Sequence, residues 1–181
     1  MTLPAGTYQR NGSLTGYVKT SSPIEISASS SLNNNDNTVF FSPIIQGWRA
    51  VLTWTGTVDK DLDSYTKCPD GSLVSYKKKN STDGVVVLDV DSRDSGPETT
   101  TLRFNETSKG TWSYWATSYR KTSQLINSDP TVAVYHGDTQ VAEVMVENAQ
   151  DGNWWWHVFD IVVNGADQQY QEVNRVENAL A

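Results

Sequence analysis

The chain reads as an all-β protein, an antiparallel β-sandwich of jelly-roll or immunoglobulin-like type with a short N-terminal strand extension. Three observations predict this. Short β-branched and aromatic runs recur along most of the 181 residues, separated by clusters of Gly, Pro, Asn, Asp and Ser. Amphipathic helical periodicity is nowhere sustained. Nine or so such runs follow one another at 10–15 residue spacing, the rhythm of two packed sheets rather than of alternating strands and helices.

In chain order, residues 1–32 form a strand-like leader or the remnant of a preceding domain. Leu3-Pro4-Ala5-Gly6-Thr7-Tyr8 comes before Gly16-Tyr17-Val18. So short a stretch cannot fold alone, so it must pair with the main sandwich, pair with another chain, or stay loose. The polar spacer Asn33-Asn34-Asn35-Asp36-Asn37 cannot pack a core, and the sandwich is expected over 38–165. Its plainest strand is Trp48–Trp54. Trp48, Ala50, Leu52 and Trp54 fall on one face and Arg49, Val51 and Thr53 on the other, as in a half-buried strand. Further strands are predicted at Asp61–Thr66, Leu73–Tyr76, Val85–Val90, Thr99–Phe104, Thr111–Ser118, Thr131–His136, Thr139–Val146 and Trp154–Val163. Pro69-Asp70-Gly71 and Asp83-Gly84 are turn signals, and His136-Gly137-Asp138 makes a tight hairpin between valine-rich strands. Residues 166–181 read as a tail or linker, with Asp167–Leu180 the one helix candidate.

Composition narrows the function classes. At this length a sandwich buries about 70% of its unfolded surface and needs no disulfide staples. The lone cysteine, Cys68, has no internal partner and is read as a buried core thiol. The net charge of −7, with acids concentrated between Asp59 and Glu98, argues against nucleic acid, which is held by clustered Lys and Arg. The basic run Lys77-Lys78-Lys79 reads as a solvated edge at a hairpin tip. No apolar stretch approaches the roughly 20 residues that cross a bilayer as a helix. The chain nonetheless has an extracellular or cell-surface character, being rich in Ser, Thr, Asn and Trp and poor in charge. It carries three glycosylation sequons, at Asn11, Asn80 and Asn105. The first residues lack a charged n-region and an apolar h-region, so an export signal is expected upstream of this chain.

The most informative constellation is acidic. Asp59-Lys60-Asp61-Leu62-Asp63 places three carboxylates on one face of an extended chain, and Asp89-Val90-Asp91 and Asp94-Ser95-Gly96-Pro97-Glu98 follow. If Asp61, Asp63, Asp91 and Asp94 converge, each like-charged pair about 5 Å apart costs on the order of 3 kcal/mol at an effective dielectric near 20. Several pairs would consume a domain's whole stability without a cation or a proton. Hard oxygen donors of this kind suit Ca²⁺, which takes about 6–8 of them, with Glu98 the natural extra ligand. The other readings are solvated turns that never meet, or acid–base use.

Leu52-Thr53-Trp54, then Asp61-Leu62-Asp63, the Pro69-Asp70-Gly71 turn, an Asp-rich strand ending in Ser95-Gly96-Pro97-Glu98, and Lys109–Tyr119 form an ordered series. Over residues 46–163 this series resembles the YfaP-like family of secreted and periplasmic domains. Pre-peptidase C-terminal domains share part of the rhythm. The resemblance implies a fold and a compartment but no reaction. The leader resembles the closing strands of carboxypeptidase-regulatory-like β domains.

The second constellation is aromatic. Strict alternation puts Trp154 and Trp156 on one face and Trp155, His157 and Phe159 on the other, while Trp112 and Tyr114 share a face opposite Trp115. Trp154, Trp156, Trp112 and Tyr114 are either core or an exposed platform on which sugar rings stack. Enzyme chemistry is not expected. The two histidines, His136 and His157, cannot supply a three-histidine metal centre, and no nucleophile–base spacing or phosphate loop is present. These readings add up to a non-catalytic extracellular module. It would be a structural or adhesive unit of a larger or filamentous surface protein, stabilised by Ca²⁺, with other domains or copies of itself as partners. The alternatives are a carbohydrate-binding module that takes glycans and, behind it, a hydrolase.

Overall fold

The computed structural model describes residues 6–15, 20–26, 44–55, 61–93, 96–120, 125–146 and 154–180, and among these it shows twelve strands and one short 3-10 turn. The chain divides into two units, residues 1–45 and 46–181. In the first, β1 (Gly6–Gly12) and β2 (Thr20–Ile26) pair antiparallel along seven residues each. The leader strand is therefore not unpaired, because its hydrogen-bonding partner lies within the leader itself. Leu3–Ala5, Gly16–Val18 and Asn33–Asn37 fall outside the described residues.

The second unit is an antiparallel sandwich of two five-stranded sheets. One sheet has the order β10-β9-β3-β7-β6, from β3 (Trp48–Thr53), β6 (Val86–Val90), β7 (Glu98–Leu102), β9 (Thr131–His136) and β10 (Thr139–Met145). The other runs β12-β11-β8-β4-β5, from β4 (Leu62–Lys67), β5 (Leu73–Val74), β8 (Lys109–Ser118), β11 (Trp155–Asn164) and β12 (Asp167–Glu177). Two-residue turns, Gly137-Asp138 and Gly165-Ala166, force antiparallel pairing of β9 with β10 and of β11 with β12.

Alternation explains most of the core. Trp48, Ala50 and Leu52 of β3 sit opposite Leu102, Thr100 and Glu98 of β7 and face the inter-sheet space. Leu62, Tyr114, Trp156, Phe159 and Ile161 close it from the other sheet, each removing on the order of 1.5–3 kcal/mol of apolar surface from water. β3 is not half-buried as expected. It lies at the centre of its sheet, and its outward Arg49 is covered by its neighbours, donating to Thr101 Oγ1 at 3.1 Å beside Asp89 at 3.8 Å.

The tail is also not as expected. Asp167–Glu177 is neither helix nor linker but the edge strand β12. Tyr170 stacks near Phe159 and Trp48, and Gln168 accepts from the Trp48 indole N–H at 2.7 Å. Its mostly polar residues hide strand character, which comes from pairing with β11. Among the described residues no helix is long and apolar enough to cross a membrane.

Candidate metal centre

β4 pairs with β8 along its length but meets β5 only at Thr66 and Lys67. Beyond that point the far edge of β4 has no strand neighbour among the described residues, and a side chain from the opposite sheet takes the place of one. Glu98, the first residue of β7, reaches across. Its Oε2 accepts from both the backbone N–H and the hydroxyl of Ser64, each at 2.7 Å. Gly96 shapes the approach. Its φ is +63°, and a Cβ there would come within 2.9 Å of the Trp54 ring, so glycine alone fits the turn that delivers Glu98.

Three carboxyl groups converge on this gap. Asp63 points to the side of β4 opposite Leu62 and Ser64, Asp91 follows β6, and one oxygen from each of Asp63, Asp91 and Glu98 lies within 4.8 Å of the others. Glu98 is 0% exposed and Asp63 3%. Asp91 is partly neutralised, its Oδ2 lying 2.8 Å from Lys79 Nζ. Asp63 Oδ2 and Glu98 Oε1 are different: both are buried and neither has a hydrogen-bond partner. An unpartnered buried carboxylate oxygen costs on the order of 1–3 kcal/mol or more, so a ligand or a proton is called for.

The electrostatics agree. Burial, reinforced by Asp61 and Asp91, pushes the Asp63 carboxyl up to about 7. Burial likewise raises Glu98 to about 8, against the two Ser64 hydrogen bonds, with Asp63 and Asp91 adding to the rise. Asp61 is raised by burial and by Asp91, and held back by Arg93 and Arg120. Asp61 stands at the mouth. With Asp63, Tyr76, Asp91, Arg93 and Tyr119 it lines a solvent-connected pocket of about 220 Å³.

Of the five predicted ligands, then, Asp63, Asp91 and Glu98 meet, Asp61 flanks them, and Asp94 lies outside the described residues. Sequence reasoning missed Ser64, which anchors Glu98, and the pocket walls Tyr76, Tyr119 and Arg93. Lys79 stands at the solvated edge expected of it and, from there, also pairs with Asp91.

No protein-family model matches this chain. No curated protein matches it in sequence either.

The aromatic platform is corrected. Trp156, Trp112 and Tyr114 are buried in the core, with Tyr114 stacked on Phe159 at 5.0 Å and Trp112 packed on Phe104 at 4.6 Å. Trp154 is half-buried just before β11. A bulge between His157 and Phe159 changes the parity of the run, so Trp156 and Phe159 both point inward although three residues apart. Trp155 and His157 take the outer face, where Trp155 meets Tyr65 and His157 stacks on Trp115 at 4.0 Å. The sequon residues Asn11, Asn80 and Asn105 are exposed, and the Asn105 amide oxygen accepts from Thr107 N–H at 2.9 Å.

Proposed function

We propose that this chain is a non-catalytic β-sandwich module that binds Ca²⁺ at the rim formed by Asp63, Asp91 and Glu98, and that serves as a structural or adhesive unit of a larger extracellular protein. The observation that carries the metal reading is the pair of buried, unpartnered oxygens, Asp63 Oδ2 and Glu98 Oε1, within a three-carboxyl cluster no wider than 4.8 Å. All donors are hard oxygens, which suits Ca²⁺ rather than a thiophilic or imidazole-seeking metal. The compartment rests on the sequons, on the motif series shared with secreted domains, and on the abundance of extracellular Ca²⁺, which fills sites with Kd of about 10⁻⁴–10⁻³ M.

A hydrolase reading draws on the same carboxyls, since about 5 Å is the spacing of a retaining glycosidase pair. Glu98 argues against it. It is wholly buried and absent from the pocket lining, so it cannot deliver a proton to a glycosidic oxygen. Isothermal titration of chelator-stripped protein with CaCl₂ tests the proposal. One saturable site is expected, weakened by Asp63→Asn; no saturable uptake at millimolar Ca²⁺ overturns it.

A further inference from the structure

The cluster is closed on one side and open on the other. Glu98 forms a floor sealed from solvent, whereas Asp61, Asp63 and Asp91 border the pocket of about 220 Å³. A cation seated among Asp63, Asp91 and Glu98 therefore borders that pocket on its Asp63 and Asp91 side. Three carboxyl groups, one of them shared with Lys79 and one engaged by Ser64, do not supply the six to eight oxygens that Ca²⁺ takes. At least two coordination positions are left for ligands that enter through the pocket.

The pocket walls narrow the chemistry of that ligand. Tyr76 and Tyr119 meet edge to face, with ring centroids 5.7 Å apart and planes at 73°. Tyr119 is 53% exposed and presents its ring beside the carboxylates. Tyr76 is backed by Tyr65 at 6.4 Å, which itself packs on Trp155 at 4.9 Å, so this wall is braced by an aromatic row on the outer face of the sheet. Arg93 adds a hydrogen-bond donor at the rim. A ligand that fits must bring two adjacent neutral oxygens to the cation, an apolar face to a tyrosine ring, and acceptors to Arg93. A sugar ring with vicinal hydroxyls has all three: its diol chelates the metal, and its C–H face packs on the aromatic π-surface. The pocket is smaller than the about 300–1,000 Å³ of clefts that enclose extended ligands, which points to recognition of one ring.

We infer that the rim is a Ca²⁺-dependent sugar site, in which a vicinal diol completes the coordination of the cation held by Asp63, Asp91 and Glu98 while Tyr119 and Tyr76 flank the ring. This rests on the metal reading above and adds the ligand class. It also moves sugar recognition away from the tryptophans, which the fold uses elsewhere.

The test uses the whole chain and four probes: the methyl glycosides of mannose, galactose, glucose and rhamnose. Each is followed by isothermal titration and by protein NMR shifts at millimolar concentration, with Ca²⁺ and with EGTA. At least one glycoside is expected to bind in Ca²⁺ and to lose all measurable binding in EGTA or when its adjacent hydroxyls are methylated. Tyr119→Ala, a change at a half-exposed side chain, is expected to weaken sugar binding at least ten-fold and to leave the Ca²⁺ isotherm within two-fold of the unaltered protein. Ca²⁺ binding with no response to any glycoside overturns the sugar inference and leaves the metal reading standing. Absence of Ca²⁺ binding overturns both. Equal glycoside binding in EGTA or undiminished binding by Tyr119→Ala also overturns the sugar assignment.

Discussion

Replacing Glu98 with Gln separates the cost of the empty site from the gain of the filled one. With Asp63, Asp91 and Glu98 all ionised at separations no greater than 4.8 Å, each pair repels by about 3.5 kcal/mol at an effective dielectric near 20. That is a large fraction of the about 5–15 kcal/mol by which a domain is stable. Gln has nearly the shape of Glu. Its amide oxygen can keep the two 2.7 Å bonds from Ser64, and its NH₂ group then lies where Glu98 Oε1 is orphaned, as a donor toward Asp63. In chelator, Glu98→Gln is therefore expected to melt at or above the temperature of the unaltered protein. In Ca²⁺ the order inverts. At about 10 mM Ca²⁺ and a Kd near about 10⁻⁴ M, the unaltered protein gains about 2.7 kcal/mol, or roughly 5–10 °C for a domain of this size.

Losing a charged ligand that weakens Kd about 100-fold leaves about 0.4 kcal/mol, roughly 1 °C. Circular dichroism melts in EGTA and in CaCl₂ give all four numbers, with Glu106→Gln, an exposed turn residue, as the control for removing one negative charge. Equal Ca²⁺ shifts in Glu98→Gln and the unaltered protein would refute the assignment of Glu98 as a ligand. Overlapping melts of the unaltered protein with and without Ca²⁺ would refute the site.

Three further outcomes follow from the same geometry. Glu98, raised to about 8 by burial with Asp63 and Asp91 nearby, and Asp63, raised to about 7 by burial with Asp61 and Asp91 nearby, bind more protons folded than unfolded between about pH 4 and pH 8. Stability in EGTA should be greatest at the acid end of that window and fall as pH rises through it, and Ca²⁺ should remove the loss; denaturant melts from pH 5 to 8.5 that are flat in EGTA count against it. Trp156→Ala should cost about 3–5 kcal/mol, a drop of roughly 6–20 °C in Tm, because its side chain is fully buried beside Ala116 in the core; an unchanged Tm would mean that the residue is not core. Cys68 is buried and burial raises its thiol, so a disulfide reagent should modify it more slowly than free glutathione, reaching full stoichiometry in denaturant; instant labelling of the native protein contradicts this.

Which parts of this molecule could be read from sequence follows from how local each signal is. Nine strands were legible because β-branched runs and turn residues are neighbours in the chain, and β9, for instance, begins and ends at the residues predicted. β12 was not legible. Gln168, Gln169, Gln171 and Asn174 carry little strand preference, and what holds them is the register with β11, including the break at Asn174, whose φ is +45°. The Trp run failed for a related reason. Strict alternation assumes an unbroken pleat, and one extra residue at the bulge after His157 carried Phe159 from the outer face to the core. Of the acidic site, the residue types were legible and the convergence was not. Asp63 and Glu98 are 35 positions apart on different sheets, and they meet along the edge of β4 that has no strand neighbour beyond β5 among the described residues.

That gap also determines what a cation would do to the whole fold. Glu98 belongs to the sheet that contains β6 and β7, Asp91 directly follows β6, and Asp63 belongs to the sheet that contains β4. In the absence of metal the sheets are joined at this edge by Ser64 donating to a single carboxylate oxygen, while Asp63 and Glu98, once ionised, repel across the seam. A cation turns that repulsion into a cross-link between sheets at the edge of β4 that, among the described residues, has no strand partner beyond β5. Its stabilisation should therefore appear in the cooperative unfolding of residues 46–181 and not in a local loop, because separating the sheets must break the coordination. Amide exchange measures this directly. Ca²⁺ should slow exchange in the central strands β3 and β8, far along the sheets from the carboxylates, by the same factor as at β4 and β7. Protection confined to residues 61–65 and 91–98 would show a cation that orders the rim without holding the sandwich together.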